Sequence, residues 1–138
     1  MRRKSQRCKS NAAAHQLKGR SHGGGRYTGM GRGMTREALL REVTRRLVEW
    51  YRPVRVYLFG SQARGEGAGD SDFDFLVVVP DTLPRDRWYS REIFALLADI
   101  DVPIDVVVWP KSRFEERLRV KASLPATVER EGQLLYAA

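Results

Sequence analysis

The sequence predicts an α/β domain in which a mixed β-sheet is covered by helices. Segments with the three- to four-residue apolar spacing of helices alternate with short runs of Val, Ile, Leu and Phe that are typical of buried strands. Pro or Gly separates most of these segments. The 138 residues are about enough for one ordinary domain. Strands that alternate with helices favour a layered α/β arrangement.

The first predicted helix begins after Thr35, which can accept a capping hydrogen bond, and ends before Pro53. Its apolar residues recur at helical spacing: Leu39, Leu40, Val43, Leu47, Trp50 and Tyr51. A strand at 55–59 follows, and then a stretch rich in Gly, Ser and Ala at 60–69.

The second strand spans about 71–79 and stops at Pro80. A second helix begins near Pro84, since Pro suits a first helical turn. Its apolar face consists of Tyr89, Ile93, Leu96, Leu97 and Ile100. A third strand at 104–109 ends at Pro110.

Two short helices and one strand complete the prediction. The helices lie at about 112–119 and 123–130, each with two apolar residues four positions apart. Gly132 is a candidate C-terminal cap for the second of them. Residues 133–136 form a short edge strand.

The positive charge is concentrated at the start of the chain. The sequence has 25 Lys and Arg against 17 Asp and Glu, a net charge of +8. Residues 1–33 hold nine of the basic residues and no acidic one, and they contain few large apolar groups. We therefore expect residues 1–33 to be a disordered basic leader rich in Gly and Arg, and residues 34–138 to form the domain.

Two interpretations of this leader stay open. It would bind nucleic acid as a basic arm, without choosing a sequence. Alternatively it is an incidental, non-native extension, and Met34 is the natural first residue, because Met34 lies directly before a helix start.

Several kinds of site are excluded from residues 34–138. The only Cys, Cys8, and both His, His15 and His22, lie before them. A disulfide framework, a zinc site with Cys or His ligands, and a Ser-His or Cys-His nucleophile are therefore excluded there. A metal ion bound to this segment needs oxygen ligands, which favours Mg²⁺ or Mn²⁺. Because no apolar run spans a bilayer or resembles a secretory signal, we expect a cytoplasmic protein with no membrane contact.

Three features that suit phosphate chemistry follow one another along the predicted strands. Gly60 and Ser61 end the first strand, Asp72 and Asp74 open the second after a gap of ten residues, and Asp105 lies in the third. Since side chains alternate along a strand, Asp72 and Asp74 project from one face, about 7 Å apart. With the third carboxylate they would form an anionic pocket for two divalent cations, which suits in-line phosphoryl displacement.

The Gly-Ser turn suits the same reaction. Gly60 lets the backbone approach a phosphate, Ser61 offers an N–H and a hydroxyl, and Arg64 adds a positive charge with a forked donor set. Each feature alone is common, since a Gly-Ser pair is usually a plain turn and Asp-x-Asp a solvated strand end. Asp105 alone would serve as a charge that protects an edge strand. Together at this spacing, the pair and the Asp-x-Asp are expected by accident in about one chain in 500.

These residues resemble the signature of the nucleotidyltransferase superfamily typified by DNA polymerase β. The resemblance covers about residues 35–136 and is carried by Gly60-Ser61, Asp72-Phe73-Asp74 and Asp105. The short domain, the Ala63-Arg64-Gly65 turn and the segments 106–109 and 124–136 resemble its minimal, stand-alone branch. Members of that branch are often encoded beside a helical HEPN ribonuclease, as the antitoxin of a toxin–antitoxin pair.

The resemblance implies a role for each site residue. Asp72 and Asp74 would bind two Mg²⁺ ions, and Asp105 would bind the catalytic ion and help to deprotonate the acceptor hydroxyl. Gly60 and Ser61 would hold the β- and γ-phosphates of a nucleoside triphosphate such as ATP. Attack would occur at the α-phosphorus, with pyrophosphate leaving. Arg64 as a phosphate contact is our own inference.

The function that we expect is transfer of AMP to a hydroxyl of a HEPN-type toxin, which implies a hetero-oligomer. Two alternatives stay open. The domain would be a catalytically silent module that blocks its partner sterically, or a nucleotidyltransferase that acts on a small molecule or RNA. Binding to nucleic acid is expected only through residues 1–33. The nucleotide base, the acceptor and the number of transfers stay open.

Overall fold

The computed structural model describes residues 34–65 and 72–138, and residues 6–9 by their backbone alone. Five strands in these ranges form one sheet: β1 (Gln6–Lys9), β2 (Arg55–Phe59), β3 (Phe73–Val79), β4 (Ile104–Pro110) and β5 (Gln133–Ala137). The helices are α1 (Arg36–Tyr51), α2 (Ser61–Arg64), α3 (Arg91–Leu97), α4 (Lys111–Arg117) and α5 (Leu124–Glu131), with a 3₁₀ turn at Arg85–Arg87.

The sheet is mixed, as the sequence predicts. Its strand order is β1-β4-β3-β2-β5. The central strands β3 and β4 are parallel, and every other neighbouring pair is antiparallel. The parallel pair needs a crossover, and α3 lies in the chain between β3 and β4. The predicted α/β class is therefore confirmed.

One face of the sheet, which we call the α1 face, carries the larger core. Helices α1 and α3 pack there through Leu39, Leu40, Val43, Leu47, Ile93 and Leu97. The strands contribute Val56, Leu58, Phe73, Phe75, Val77, Val79, Ile104, Val106 and Val108. These side chains are almost completely buried, so this face supplies most of the hydrophobic stabilisation of the described domain.

The opposite face, the α4 face, carries a smaller core. It consists of Tyr57, Leu76, Val78, Val107, Trp109, Phe114 and Val128. The rings of Tyr57 and Phe114 stack with their centroids 5.8 Å apart. The Tyr57 hydroxyl donates a hydrogen bond of 2.7 Å to Glu129, and burial together with this bond raises the pKa of Tyr57. Helices α4 and α5 thus cover the second face.

The boundaries of α1 agree with the prediction. The Thr35 hydroxyl accepts a hydrogen bond of 3.0 Å from the Ala38 N–H, and the helix ends at Arg52, whose φ is 51°. The second strand begins at Phe73 rather than at about residue 71, and the predicted edge strand is present as β5.

The second predicted helix is divided in two, which differs from the expectation of one helix from Pro84 onwards. The chain forms the 3₁₀ turn, becomes extended at Ser90, and only then enters α3. The end of α1 contacts the chain at this division. The Arg87 guanidinium lies 4.3 Å from the centre of the Trp50 ring and donates 2.8 Å to the Trp50 carbonyl. The Trp50 Nε1 donates at 3.3 Å to the Arg87 carbonyl, which a continuous helix would use for a backbone bond of its own.

Strand β1 lies inside the segment that we expected to be disordered. Its four residues pair with β4, with Lys9 opposite Asp105 in the register. The outer edge of β4 offers backbone hydrogen bonds, and strand pairing through the backbone does not depend on apolar side chains. The structure thus places these four residues in the sheet, and the rest of the segment lies outside the described residues. In the described ranges no helix is long and apolar enough to cross a membrane.

An ion-pair network joins α1 to the end of α3. The Arg46 guanidinium donates to the Leu96 carbonyl and to Asp99, both at 2.7 Å, and to Glu42 at 2.8 Å. Arg45 also donates to Glu42 at 2.7 Å. These two guanidinium groups lower the pKa of Glu42 from 4.5 to about 2, and Arg46 lowers that of Asp99.

We expect Glu42→Gln to lower the free energy of unfolding at neutral pH by about 1 kcal/mol, the size of a partly exposed ion pair. The stabilisation requires ionised Glu42 in the folded state. It is complete above pH 4.5 and is lost as the pH falls towards about 2. Urea unfolding of the wild-type chain and of Glu42→Gln between pH 7 and pH 2 measures this difference in the free energy of unfolding. A difference between the two proteins that stays constant over the whole range would contradict the assignment.

Candidate active site

The chain turns sharply between β2 and α2, at Gly60. The backbone of Gly60 has φ 80° and ψ −162°, a conformation that residues with a Cβ rarely adopt. Its carbonyl accepts hydrogen bonds from the N–H groups of Ala63 at 3.1 Å and Arg64 at 3.3 Å, which close the short helix. Glycine here therefore allows the strand to pass directly into α2.

The Asp74 carboxyl lies against this glycine. In the antiparallel pair of β2 and β3, Asp74 is opposite Phe59, the residue before Gly60. A Cβ placed on Gly60 would lie 2.5 Å from Oδ2 of Asp74, closer than real Cβ contacts. The missing side chain at Gly60 thus makes room for the carboxyl group, and the turn and the carboxylate form one unit.

Asp74 and Asp105 occupy neighbouring positions on the central strands. They are paired in the parallel register of β3 and β4. Alternation along the strands places both on the α4 face, the face of Leu76 and Val107. Asp105 is only 2% exposed, while Asp74 is partly buried. Two carboxyl groups therefore lie side by side next to the Gly60 turn.

The other predicted site residues lie close to this pair along the chain. Ser61 is the first residue of α2 and is partly buried, and Arg64 is its last residue and is exposed. Asp72 is partly buried and directly precedes β3, whose first N–H, that of Phe73, donates 3.0 Å to the Pro103 carbonyl. The structure thus brings together Gly60, Asp74 and Asp105. The metal-ligand roles of Asp72, Asp74 and Asp105 and the phosphate contacts of Gly60, Ser61 and Arg64 stay predictions.

The donor set fits a hard divalent cation. Within 34–65 and 72–138, no group of three acidic, His or Cys side chains is close enough to hold an ion alone. The three predicted carboxylates therefore do not form such a group by themselves in these ranges, and their ligand roles stay predictions. Mg²⁺, however, is usually held by one or two protein carboxylates together with substrate phosphates and water. Asp74 and Asp105 supply that number of oxygen ligands.

Sequence reasoning missed one residue that contacts the turn. Arg36, at the start of α1, donates a hydrogen bond of 2.6 Å from Nη2 to the backbone carbonyl of Gln62 in α2. The Gln62 side chain itself is buried, with 6% exposed. The two residues are 26 positions apart, and no pattern in a single sequence links them.

Comparison with family models identifies the domain. A model described as a nucleotidyltransferase domain matches residues 39–134, a range that includes Gly60, Asp74 and Asp105. The chain belongs to the nucleotidyltransferase family. Neither curated proteins nor solved structures gave a match to the chain.

The family match confirms the superfamily that the motif resembles. A nucleotidyltransferase domain is a transferase that uses a nucleoside triphosphate as its substrate, and such domains generally use divalent metals. The mixed sheet with its covering helices agrees with that assignment. The family match does not distinguish the minimal branch from other branches, and it specifies neither the nucleotide base nor the acceptor.

Proposed function

We propose that this nucleotidyltransferase domain is a minimal nucleotidyltransferase that transfers AMP from ATP to a hydroxyl of a partner protein, as the antitoxin of a HEPN-type toxin. The observation that carries the proposal is the register of the central strands. Asp74 and Asp105 lie side by side, next to a glycine turn that leaves room for the Asp74 carboxyl. This arrangement supports retained catalysis, because it places two oxygen ligands of the kind that Mg²⁺ prefers beside the turn that would hold the phosphates.

A protein acceptor is favoured by the arrangement of the described helices and strands. The strands and the helices of residues 34–138 all belong to one sheet and its two covering layers. None of the described elements forms a second unit that could enclose a small acceptor beside the carboxylates. A partner protein would supply such a surface itself, which favours a protein acceptor.

The proposed reaction divides the roles among the residues. The backbone at Gly60 and the Ser61 N–H and hydroxyl hold the β- and γ-phosphates, while Arg64 contributes charge. Asp105 accepts the proton of the acceptor hydroxyl, whose oxygen bonds to the α-phosphorus. The bond from the α-phosphorus to its bridging oxygen breaks, and pyrophosphate leaves. Positioning and neutralisation of charge account for most of the acceleration in such phosphoryl transfers.

Asp72, Asp74 and Asp105 are the residues that would hold divalent ions. When bound, such ions supply neutralisation of the triphosphate charge and make the acceptor hydroxyl more acidic. Asp74 is the ligand that the structure supports best, because it lies between the Gly60 turn and Asp105.

Transfer is tested with ATP carrying label at either the α- or the γ-phosphate. We expect the full chain, Mg²⁺ and the product of the adjacent reading frame to yield labelled partner protein from α-labelled ATP only. A kinase would instead transfer the γ-label. We expect label to accumulate at least about a hundredfold faster than with Asp74→Asn, whose loss removes charge stabilisation from the site.

The other outcomes identify the alternatives. Label in RNA or in a small molecule, with none in protein, would replace the protein acceptor but keep nucleotidyl transfer. Absence of any transfer, combined with toxin neutralisation by an Asp72→Asn/Asp74→Asn double variant, would show a silent module that blocks its partner sterically. Equal labelling by the wild-type chain and by Asp74→Asn would contradict the proposed site.

A further inference from the structure

We propose that Arg36 is a positioning residue for the nucleotide, because it fixes the short helix α2 that begins with Ser61. The proposal rests on the proposed function, in which the Gly60–Ser61 turn holds the triphosphate. Arg36 lies outside residues 39–134, the range that the nucleotidyltransferase model matches. The inference therefore concerns a residue to which the family match assigns no role.

The contact joins two separate parts of the domain. Arg36 is the first residue of α1, and its Nη2 donates to the Gln62 carbonyl at 2.6 Å. A bond from a charged donor to a carbonyl is stronger than a bond between neutral groups. It therefore ties the third residue of the turn Gly60-Ser61-Gln62 to the start of α1, which packs into the larger core through Leu39 and Leu40.

Helix α2 gains support from Arg36 beside its own backbone bonds, which are 3.1 to 3.4 Å long. It has four residues, and its N-cap Gly60 has no side chain to cap it. The Gln62 carbonyl accepts the Gly65 N–H at 3.4 Å, a length at the limit for an N–H donor. The bond from Arg36 to the same carbonyl is much shorter, at 2.6 Å.

The position of Gln62 determines where Ser61 lies. The two residues are adjacent in one helical turn, and the neighbouring Ala63 packs against the larger core. A shift of the Gln62 carbonyl therefore moves the Ser61 N–H and hydroxyl with it. The Ser61 N–H and hydroxyl would then fit the β- and γ-phosphates less well, which weakens binding of the nucleotide. Arg36 thus acts on the nucleotide through α2 and does not need to touch it.

The test compares Arg36→Met with Arg36→Lys and with the control Arg45→Met in the full chain. Arg45 is an exposed arginine of the same helix whose bonds go to Glu42 and Glu49. We expect Arg36→Met to raise the KM for ATP about tenfold, with kcat changed less than about twofold, as for a group that aids binding rather than the chemical step. Arg45→Met should leave both constants unchanged.

Arg36→Lys separates positioning from charge. If Arg36 acted only by attracting the triphosphate, Lys would restore the KM, and the effect of Arg36→Met would disappear at high salt. We expect Lys to restore the KM only in part, because a point charge does not reproduce the geometry of the guanidinium bond. We also expect the Arg36→Met effect to persist in 0.5 M salt, at which exposed charges are screened over about 4 Å.

Hydrogen exchange of the free protein gives a readout that does not depend on activity. We expect Arg36→Met to increase amide exchange at residues 61–65 with little change in β3 and β4. Unchanged exchange there, or full rescue of the KM by Lys, would overturn the inference. Failure of the wild-type chain to bind ATP would instead contradict the proposed function, and the exchange result would still show whether Arg36 holds α2.

Discussion

Replacement of Asp74 by Asn is expected to lower the rate of nucleotidyl transfer about a thousandfold while leaving the fold intact. Asn has nearly the same shape as Asp, so it fits the space that Gly60 leaves for the carboxyl group. It removes the negative charge that would hold a divalent cation beside Asp105. We therefore expect nucleotidyl transfer to be lost while the fold is retained.

The same substitution should change the stability of the protein little. Asn keeps the size of the side chain and a carbonyl oxygen, so it fits the same place opposite Phe59 and beside Asp105. We expect the melting temperature of Asp74→Asn without added metal to stay close to that of the wild-type chain.

Activity, melting temperature and the effect of Mg²⁺ on it are measured together. The control is Asp86→Asn, which removes one exposed acidic group in the 3₁₀ turn beyond the opposite end of β3. Mg²⁺ with a nucleotide should raise the melting temperature of the wild-type chain and of Asp86→Asn, but not that of Asp74→Asn. Normal transfer by Asp74→Asn would refute the assignment of this carboxylate.

The elements that local sequence defines were predicted well. Each predicted helix or strand boundary at Pro53, Pro80 and Pro110 coincides with an observed one to within about two residues, because Pro restricts the backbone at its own position and the one before it. The apolar runs of β3 and β4 and the spacing of Gly60 from Asp74 are also properties of short segments. The sequence therefore predicted the fold class, while the roles of the site residues stay predictions.

What sequence could not predict depends on pairs of distant residues. The break before α3 lies where Arg87 contacts Trp50, a residue 37 positions away. The bond between Arg46 and Asp99 spans 53 positions. Periodicity specifies which face of each helix is apolar, but not which polar groups meet when two helices pack. The Arg36 bond to α2 belongs to the same class.

The second large effect is expected for Gly60→Ala. The added Cβ would lie 2.5 Å from Oδ2 of Asp74, and the backbone would have to keep a φ of 80°. We expect transfer to fall about a hundredfold, because either the carboxyl or the turn must move by a substantial part of 1 Å. We also expect the free energy of unfolding to fall by about 2 kcal/mol, from backbone strain and the contact together.

Gly65→Ala separates these two causes. Gly65 also has a positive φ, 76°, but a Cβ there would meet nothing within 4 Å among the described atoms. It should show the strain alone, about 1 kcal/mol of destabilisation, with little loss of transfer. Urea unfolding and single-turnover transfer on both variants measure the two quantities. Both glycines flank the same four-residue helix. Equal losses of activity in the two variants would therefore mean that transfer depends only on the backbone conformation of the turn. A loss of activity confined to Gly60→Ala would mean that the Asp74 carboxyl can occupy its position only because residue 60 has no side chain.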